Sequence, residues 1–443
     1  MKQANALVAF MTLFMTLAWG FDVSSQSNFV AYWGQSSAGS QKPLKDYCQD
    51  SSVDVIVLAF LYQFPDTKLD FSSNCRDTFP GSQLLHCPEI AADIKQCQSK
   101  GKAVILSMGG AAGAYGFSSD SDAQKYADTV WDMFLGGNGS QRPFDDAVLD
   151  GIDLDIEGGS TAGYAAFVGQ LRSHFQASNK QYYITGAPQC PYPDAMLGST
   201  LDSAWFDMVF VQFYNNYCGL DAYPQGFNYD KWDSWAKSQS ANKNVKLYIG
   251  APGSQSAAGR GYVDAATVNK ISNDIRSKYS TFGGVMVWDA SQAFDSSSWG
   301  TSVSSSLKSG ASNRKRMFDM ASAAPVATRT ANITAGALHA RLDLVEGAAG
   351  RRSKGDTFGF IVKAKSTGQP IQRGWQMHIP LPAGIAVAQI DALGHQATIV
   401  ENTLVVTDGG SHDSSMAVEV YVAGQHTGNE FVLPDPARIA LQV

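Results

Sequence analysis

The chain has 443 residues, 44% of them hydrophobic and 16% charged, with a formal net charge of −7. That is length enough for two or three domains, and the slight acidity without a basic stripe excludes the electrostatic footprint of a nucleic-acid binder. The only long apolar stretch stands at the N-terminus, which excludes a chain built of membrane spans.

That stretch follows Lys2 and runs from Ala6 to Ala18, ending in Ala18-Trp19-Gly20. It is too short for the roughly 20 residues of a spanning helix and reads as a secretory signal peptide over residues 1–20. The mature chain then starts near Phe21, and the C-terminal Ala-Arg-Ile-Ala-Leu-Gln-Val has no hydrophobic tail of the lipid-anchor kind. Release to the extracellular space or cell wall is expected. All six cysteines, Cys48, Cys75, Cys87, Cys97, Cys190 and Cys218, lie in the first half, and none shows C-x-x-C spacing. Three disulfides are the default in an exported chain, and spacing alone leaves the pairing open. Asn138-Gly139-Ser140 and Asn332-Ile333-Thr334 match the glycan acceptor triplet.

From residue 28 to 288, short runs rich in β-branched and aromatic residues recur: Phe29–Trp33, Val53–Phe60, Ala103–Met108, Val148–Ile156, Tyr182–Ala187, Met208–Tyr214, Val245–Gly250 and Gly284–Trp288. Several are almost continuously apolar, as strands covered on both faces must be. Helical periods lie between them: Ile90, Ile94 and Cys97; Tyr126, Val130 and Phe134 after Asp122; and Tyr164, Phe167, Val168, Leu171 and Phe175 after a cap at Ser160. Eight β/α units predict an α/β fold, a (β/α)8 TIM barrel over residues 21–310, with a doubly wound open sheet as the alternative.

Residues 311–330 read as a linker rich in Ala, Ser and Thr, and Lys315-Arg316 within it matches a dibasic processing site, which leaves open whether the following domain is shed. Beyond it, Leu338–Val345, Phe358–Lys363, Trp375–Ile379, Val387–Ile390, Thr398–Val406, Met416–Val422 and Glu430–Leu433 alternate apolar and polar residues. That pattern predicts a small all-β sandwich-like accessory domain over residues 331–443. Trp375 alternates with Met377 and Ile379, which places it in the core rather than on an exposed face.

One segment carries chemistry: Asp150-Gly151-Ile152-Asp153-Leu154-Asp155-Ile156-Glu157. Side chains alternate along a strand, so Asp153, Asp155 and Glu157 share one face while Ile152, Leu154 and Ile156 share the other, with Asp150 out of phase. In a barrel the acids point inward and climb to Glu157 at the C-terminal rim, where chemistry sits. Neighbouring carboxylates resist joint ionisation, which suits keeping the terminal Glu protonated as a general acid. A solvated edge strand is the bland reading, disfavoured by the wholly apolar opposite face. A divalent-metal site is the other rival, but no His accompanies the acids and no phosphate cradle is present, so neither metal nor cofactor is expected.

Asp150-x-x-Asp153-x-Asp155-x-Glu157 resembles the signature of glycoside hydrolase family 18 chitinases, and its surroundings are similar to the yeast- and plant-type (class III) branch. The likeness extends to Ala31-Tyr32-Trp33-Gly34-Gln35, Ser107-Met108-Gly109-Gly110, Ala187-Pro188-Gln189-Cys190-Pro191, Gln212-Phe213-Tyr214-Asn215-Asn216 and Trp288-Asp289-Ala290, each at a strand end. It covers residues 21–308 and nothing after the linker.

The resemblance implies retaining hydrolysis of β-1,4 links between N-acetylglucosamine units, with the substrate's own acetamido oxygen as nucleophile. Glu157 would be the acid and base. Asp155, supported by Asp153, would hold the acetamido N–H, and Tyr214 its carbonyl, while Trp288 would form the floor under the reacting sugar. Gln212, Tyr32, Gln35, Phe60, Gly109, Gly110, Asn215 and Asn216 are candidate subsite residues. The family pairing implies Cys48–Cys97, Cys75–Cys87 and Cys190–Cys218. Chitin and chitooligosaccharides are the expected partners, taken by a monomer in an open cleft suited to endo cleavage. A lectin-like or inhibitor protein on the same barrel, without turnover, is the alternative, and the presence of Glu157, Asp155 and Tyr214 argues for catalysis.

Overall fold

The computed structural model describes residues 21–309 apart from residue 296, and then residues 329–333, 338–346, 357–366, 376–381, 385–391, 396–401, 403–407, 418–426 and 440–442. The signal peptide, residues 311–328 of the linker with Lys315-Arg316, Trp375 and Glu430–Leu433 lie outside the described residues. The chain divides into two compact units, one ending at Ser309 and the other starting at Gly310.

In the first unit eight strands run in parallel: β1 Asn28–Trp33, β2 Val55–Phe64, β3 Ala103–Gly109, β4 Gly151–Asp155, β5 Tyr183–Gly186, β6 Met208–Gln212, β7 Lys246–Pro252 and β8 Phe282–Trp288. Each pairs with its successor, and β1 pairs with both β2 and β8 through Val30 opposite Val55 and Asn28 opposite Gly284. The sheet is closed, which decides for the (β/α)8 barrel over the open sheet. The helices are α1 Leu44–Gln49, α2 Pro88–Ser99, α3 Asp120–Phe134, α4 Tyr164–Gln176, α5 Gly198–Ser203, α6 Tyr229–Ser238, α7 Ala265–Lys278 and α8, residues 299–309.

Alternation along the strands divides the buried residues into two cores. Phe29, Ala31, Ile152, Leu154, Val209 and Val285 face outward and pack with the helices. Val30, Tyr32, Ile105, Phe210, Tyr248 and Met286 fill the barrel interior. Each fully buried aliphatic side chain contributes roughly 1.5–3 kcal/mol, so these strands cannot slip by one residue without exchanging their faces. Helix α3 starts at Ser119, whose side chain accepts from the Asp122 N–H. Helix α4 starts later than expected: its N-cap is Gly163 in the left-handed region, φ 82°, and Ser160 lies in the loop before it. No helix among the described residues is long and apolar enough to cross a membrane.

The disulfides are Cys48–Cys97, Cys75–Cys87 and Cys190–Cys218. The first ties α1 to α2, and the third links the loops that leave β5 and β6 beside the acid strand. Closing such loops stabilises by about 2–4 kcal/mol each.

The second unit contains two antiparallel sheets. One runs in the order Arg329–Ile333, Leu338–Glu346, Thr357–Ser366, Val418–His426, Ile385–Asp391, and the other in the order Gln396–Val400, Thr403–Thr407, Gln376–Pro380, Ala440–Gln442. Two features depart from the sequence reading. The strand Arg329–Ile333 reaches into the linker range, and the run 398–406 is a tight hairpin whose turn residue Glu401 has φ 55°. Met377 and Ile379 are buried as their alternation requires.

Candidate active site

Strand β4 sets the site. Asp153 is fully buried inside the barrel and accepts three O–H hydrogen bonds: Tyr32 Oη and Ser107 Oγ donate to Oδ2, each at 2.7 Å, and Thr185 Oγ1 donates to Oδ1 at 2.6 Å. Ser107 and Thr185 stand directly beside Asp153 in the register of β3 and β5, so pleat geometry alone brings them there. Burial pushes the Asp153 carboxyl above the ordinary carboxylate range, and the three donors draw it back. Asp150, at the foot of the strand, accepts from Val104 N–H and Gln98 Nε2 and pairs with Lys180. It braces the barrel's other end.

One level higher, Asp155 is also buried, and Gln212 Nε2 donates to its Oδ1 at 2.9 Å while also donating to Ala187 O at 3.0 Å. Burial raises the Asp155 carboxyl well above its usual range, and the charges of Glu157, Asp153 and Asp194 add to it. Glu157, two residues on, is half-buried at the rim. Burial first and the Asp194 charge second raise its carboxyl, against opposing hydrogen bonds from Gln212 and Asp155. The Tyr32 and Tyr214 phenols are driven far up by burial and by the acids beside them, so both stay protonated and remain donors.

Above this ladder opens a cleft of about 440 Å³. Of the residues singled out in the sequence, Asp155, Glu157, Tyr214, Trp288, Gln212, Phe60, Gln35 and Asn215 line it. Trp288 stacks on Phe60 with ring centroids 5.8 Å apart and planes 21° apart, giving the cleft a flat aromatic wall. Trp288 packs against the interior core that holds Met286, as the parity of β8 requires. Tyr62, Asp70, Ala111, Ala112 and Ala257 complete the lining, and none of these lining side chains is Lys, Arg or His.

Other residues named from the sequence do different work. Tyr32 is buried below the cleft, with its hydroxyl engaged by Asp153. Gly109 and Gly110 are close-packing positions rather than cleft lining: at φ 115°, a Cβ on Gly109 would meet Asp155 O at 2.1 Å, and a Cβ on Gly110 would meet the Phe60 ring. Asn216 donates to Gln189 Oε1 at 3.0 Å, joining the β5 and β6 loops. Gln35 lines the cleft, yet its amide is engaged by the carbonyls of Ala59 and Asp70. Asn215 lines it at φ 56°, with Oδ1 accepting from Gly259 N–H at 2.8 Å and Arg260 N–H at 3.4 Å, so its side chain secures the loop after β7.

Besides Tyr62, Asp70 and the three alanines of the lining, three residues that act on the acid side chains escaped the sequence reading of the site. Ser107 and Thr185 have the inward parity of their strands, a signal that counting across strands would have found. Asp194, in the loop after β5, accepts from the N–H groups of Gln189, Met196 and Leu197 and acts electrostatically on both Asp155 and Glu157. No periodicity marks it.

Comparison with known proteins agrees with this geometry. Residues 28–267 match the family described as glycosyl hydrolases family 18. Chitinase 2 of Rhizopus oligosporus is 52% identical over 292 residues, covering 64% of this chain and 53% of the relative, so the chain spans about half of that protein's length. Endochitinase 33 of Trichoderma harzianum is 39% identical over 325 residues, covering 70% of this chain and 100% of the relative. Among solved structures, the ICChI chitinase from Ipomoea carnea is similar with a TM-score of 0.55 at 31% identity, covering 63% of this chain and 99% of that one.

Proposed function

The chain belongs to glycosyl hydrolase family 18, and from that membership we propose that it is a secreted endo-acting chitinase, cleaving β-1,4 links between N-acetylglucosamine units with retention. One observation carries the reading: the carboxylate ladder of β4 ends in Glu157 within a cleft walled by Tyr214 and Trp288.

Glu157 enters the reaction protonated, which burial and the Asp194 charge favour. It gives its proton to the glycosidic oxygen as the bond from that oxygen to C1 breaks. The acetamido oxygen of the same sugar closes on C1, forming an oxazolinium ion. Asp155 accepts a hydrogen bond from the acetamido N–H and faces the new positive charge, with Asp153 beneath it. Tyr214, a phenol held protonated, donates to the acetamido oxygen and aligns it. Water then attacks C1 from the side the leaving group vacated, Glu157 takes its proton, and the acetamido group reopens with the anomer retained. No second carboxylate nucleophile is needed, which departs from the ordinary retaining scheme.

The connection from β7 to β8 holds one main helix, α7, and no inserted domain walls the cleft. An open cleft favours attack within a polymer. Three disulfides and the N-terminal apolar run support export, with a mature start near Phe21.

The test is digestion of a defined chitooligosaccharide by wild type and Glu157→Gln. Turnover in the variant is expected to fall roughly 10²–10⁴-fold or more with binding retained, and the first wild-type product is expected as the β-anomer. Wild-type-like turnover by the variant, or an α-anomer released first, overturns the mechanism. Oligosaccharide binding by the wild type without any turnover would instead identify a lectin-like or inhibitor protein.

A further inference from the structure

We propose that Tyr115 is a positioning residue for the general acid, its phenol fastening the main chain of Glu157 to that of Gly110. The inference rests on the reading of Glu157 as the acid.

Strand β4 ends at Asp155, so the regular ladder stops two residues short of Glu157. The last bond of the seam is Gly110 N–H to Asp155 O, at 2.8 Å. From there the Tyr115 hydroxyl takes over. It donates to Gly110 O at 2.7 Å and accepts from Glu157 N–H at 3.0 Å, filling both roles a hydroxyl has. Asp155, Gly110, Tyr115 and Glu157 therefore form one closed circuit of main-chain bonds, in which the phenol is the single side-chain member. It stands where the next strand residue would have stood as the partner of the Glu157 amide.

The phenol is itself fixed on independent grounds. Ala114 and Tyr115 pair with Gln63 and Phe64 at the outer end of β2. The Tyr115 ring stacks on Phe64, with centroids 5.2 Å apart and planes 16° apart. Gly159, at φ 76°, leaves so little room that a Cβ there would lie 2.6 Å from Tyr115 O. The acid is thus tied to β2 and β3 although its own strand has ended. An acid that must give a proton to one oxygen and later take one from water depends on such placement, and a misplacement of about 1 Å costs roughly 10²-fold in rate.

Tyr115→Phe removes one oxygen and keeps the ring. The expected result is a kcat lower by roughly 10–100-fold on a defined chitooligosaccharide. KM and the Kd measured for the same oligomer should stay within about twofold, the melting temperature close to wild type, and the high-pH limb of the rate profile should move. Unchanged kcat overturns the proposal. So does a fall in kcat, affinity and melting temperature together, which marks a merely structural residue. Failure of the wild type to hydrolyse any chitooligosaccharide overturns the reading of the site instead, and is read before the variant is.

Discussion

Asp194 presses its charge on Glu157 from outside the cleft lining: it is pinned by three backbone N–H groups at 2.6–3.0 Å and raises the Glu157 carboxyl without sharing the cleft with it. Removing that negative charge makes ionised Glu157 easier to form, so its carboxyl titrates lower. The proposed mechanism needs Glu157 protonated. Asp194→Asn is therefore expected to move the alkaline limb of the pH–rate profile to lower pH, with activity reduced more near pH 8 than near pH 5. A profile that superimposes on the wild type removes Asp194 from the electrostatics of the site.

Burial of the acids, with the repulsion among them second, predicts a stability effect. Asp153, Asp155 and Glu157 all have carboxyls raised in the folded chain. As pH climbs past the ordinary carboxylate range the unfolded chain ionises freely while the folded one resists, so these groups subtract stability between their unfolded and folded titrations. Asp155→Asn keeps an acceptor for Gln212 and removes a charge. Its melting temperature at pH 7 should rise, by roughly 2–4 °C for each kcal/mol of burial and repulsion cost relieved, and the gain should shrink near pH 4. Thermal melts at the two pH values measure it.

Trp288 and Phe60 form one stacked wall, so truncating either exposes the other. Trp288→Ala is expected to lower kcat/KM roughly 10²-fold, about 2.7 kcal/mol, and Phe60→Leu severalfold less. Steady-state kinetics on one oligomer compare them. Equal, small effects would take the wall out of substrate binding.

Asn215 holds the loop after β7 by its carboxamide oxygen, and Arg260 in that loop pairs with Asp221 through Nε and Nη2. Asn215→Ala keeps the difficult φ of 56° and the main-chain bond to Arg260 O, and loses both side-chain bonds. The expectation is faster tryptic cleavage after Arg260 and a KM severalfold higher, with kcat less affected. Limited proteolysis followed by mass spectrometry reports the first effect, and no change in cleavage rate would mean that the Asp221 pair and the main-chain bond from residue 215 N–H to Arg260 O hold the loop without the carboxamide.

Much of this was legible because alternation is strict in a closed sheet. Parity put Asp153, Asp155 and Glu157 on one face and the aliphatic residues between them on the other, and both cores follow. It also placed Trp288 and Gln212 inward. What no pattern marks lies where the chain leaves periodic structure. Tyr115 and Asp194 reach the site from loops whose paths depend on a two-residue strand and a backbone turn, neither of which leaves a repeating pattern. Gly109 and Gly110 read as rim contacts, yet the space beside them is closed to a side chain, by Asp155 O at Gly109 and by the Phe60 ring at Gly110. The helix expected after Ser160 begins at Tyr164 because Gly163 takes the left-handed cap, and the run 398–406 alternates straight through a turn at Glu401, where φ is 55°.

The lining of the cleft contains carboxylates and no Lys, Arg or His side chain. On the proposed reaction, a neutral polysaccharide leaves that negative potential unanswered except at the moment its ring turns cationic. Small molecules carrying a permanent positive charge at that position should therefore compete for the site far better than the sugar they imitate, as transition-state mimics do by 10²-fold or more. Their binding should weaken at low pH, as the acids of β4 take up protons. The acid ladder is thus also a guide to inhibitor chemistry, favouring amidine- or ammonium-bearing sugar mimics with an acetamido arm over uncharged ones.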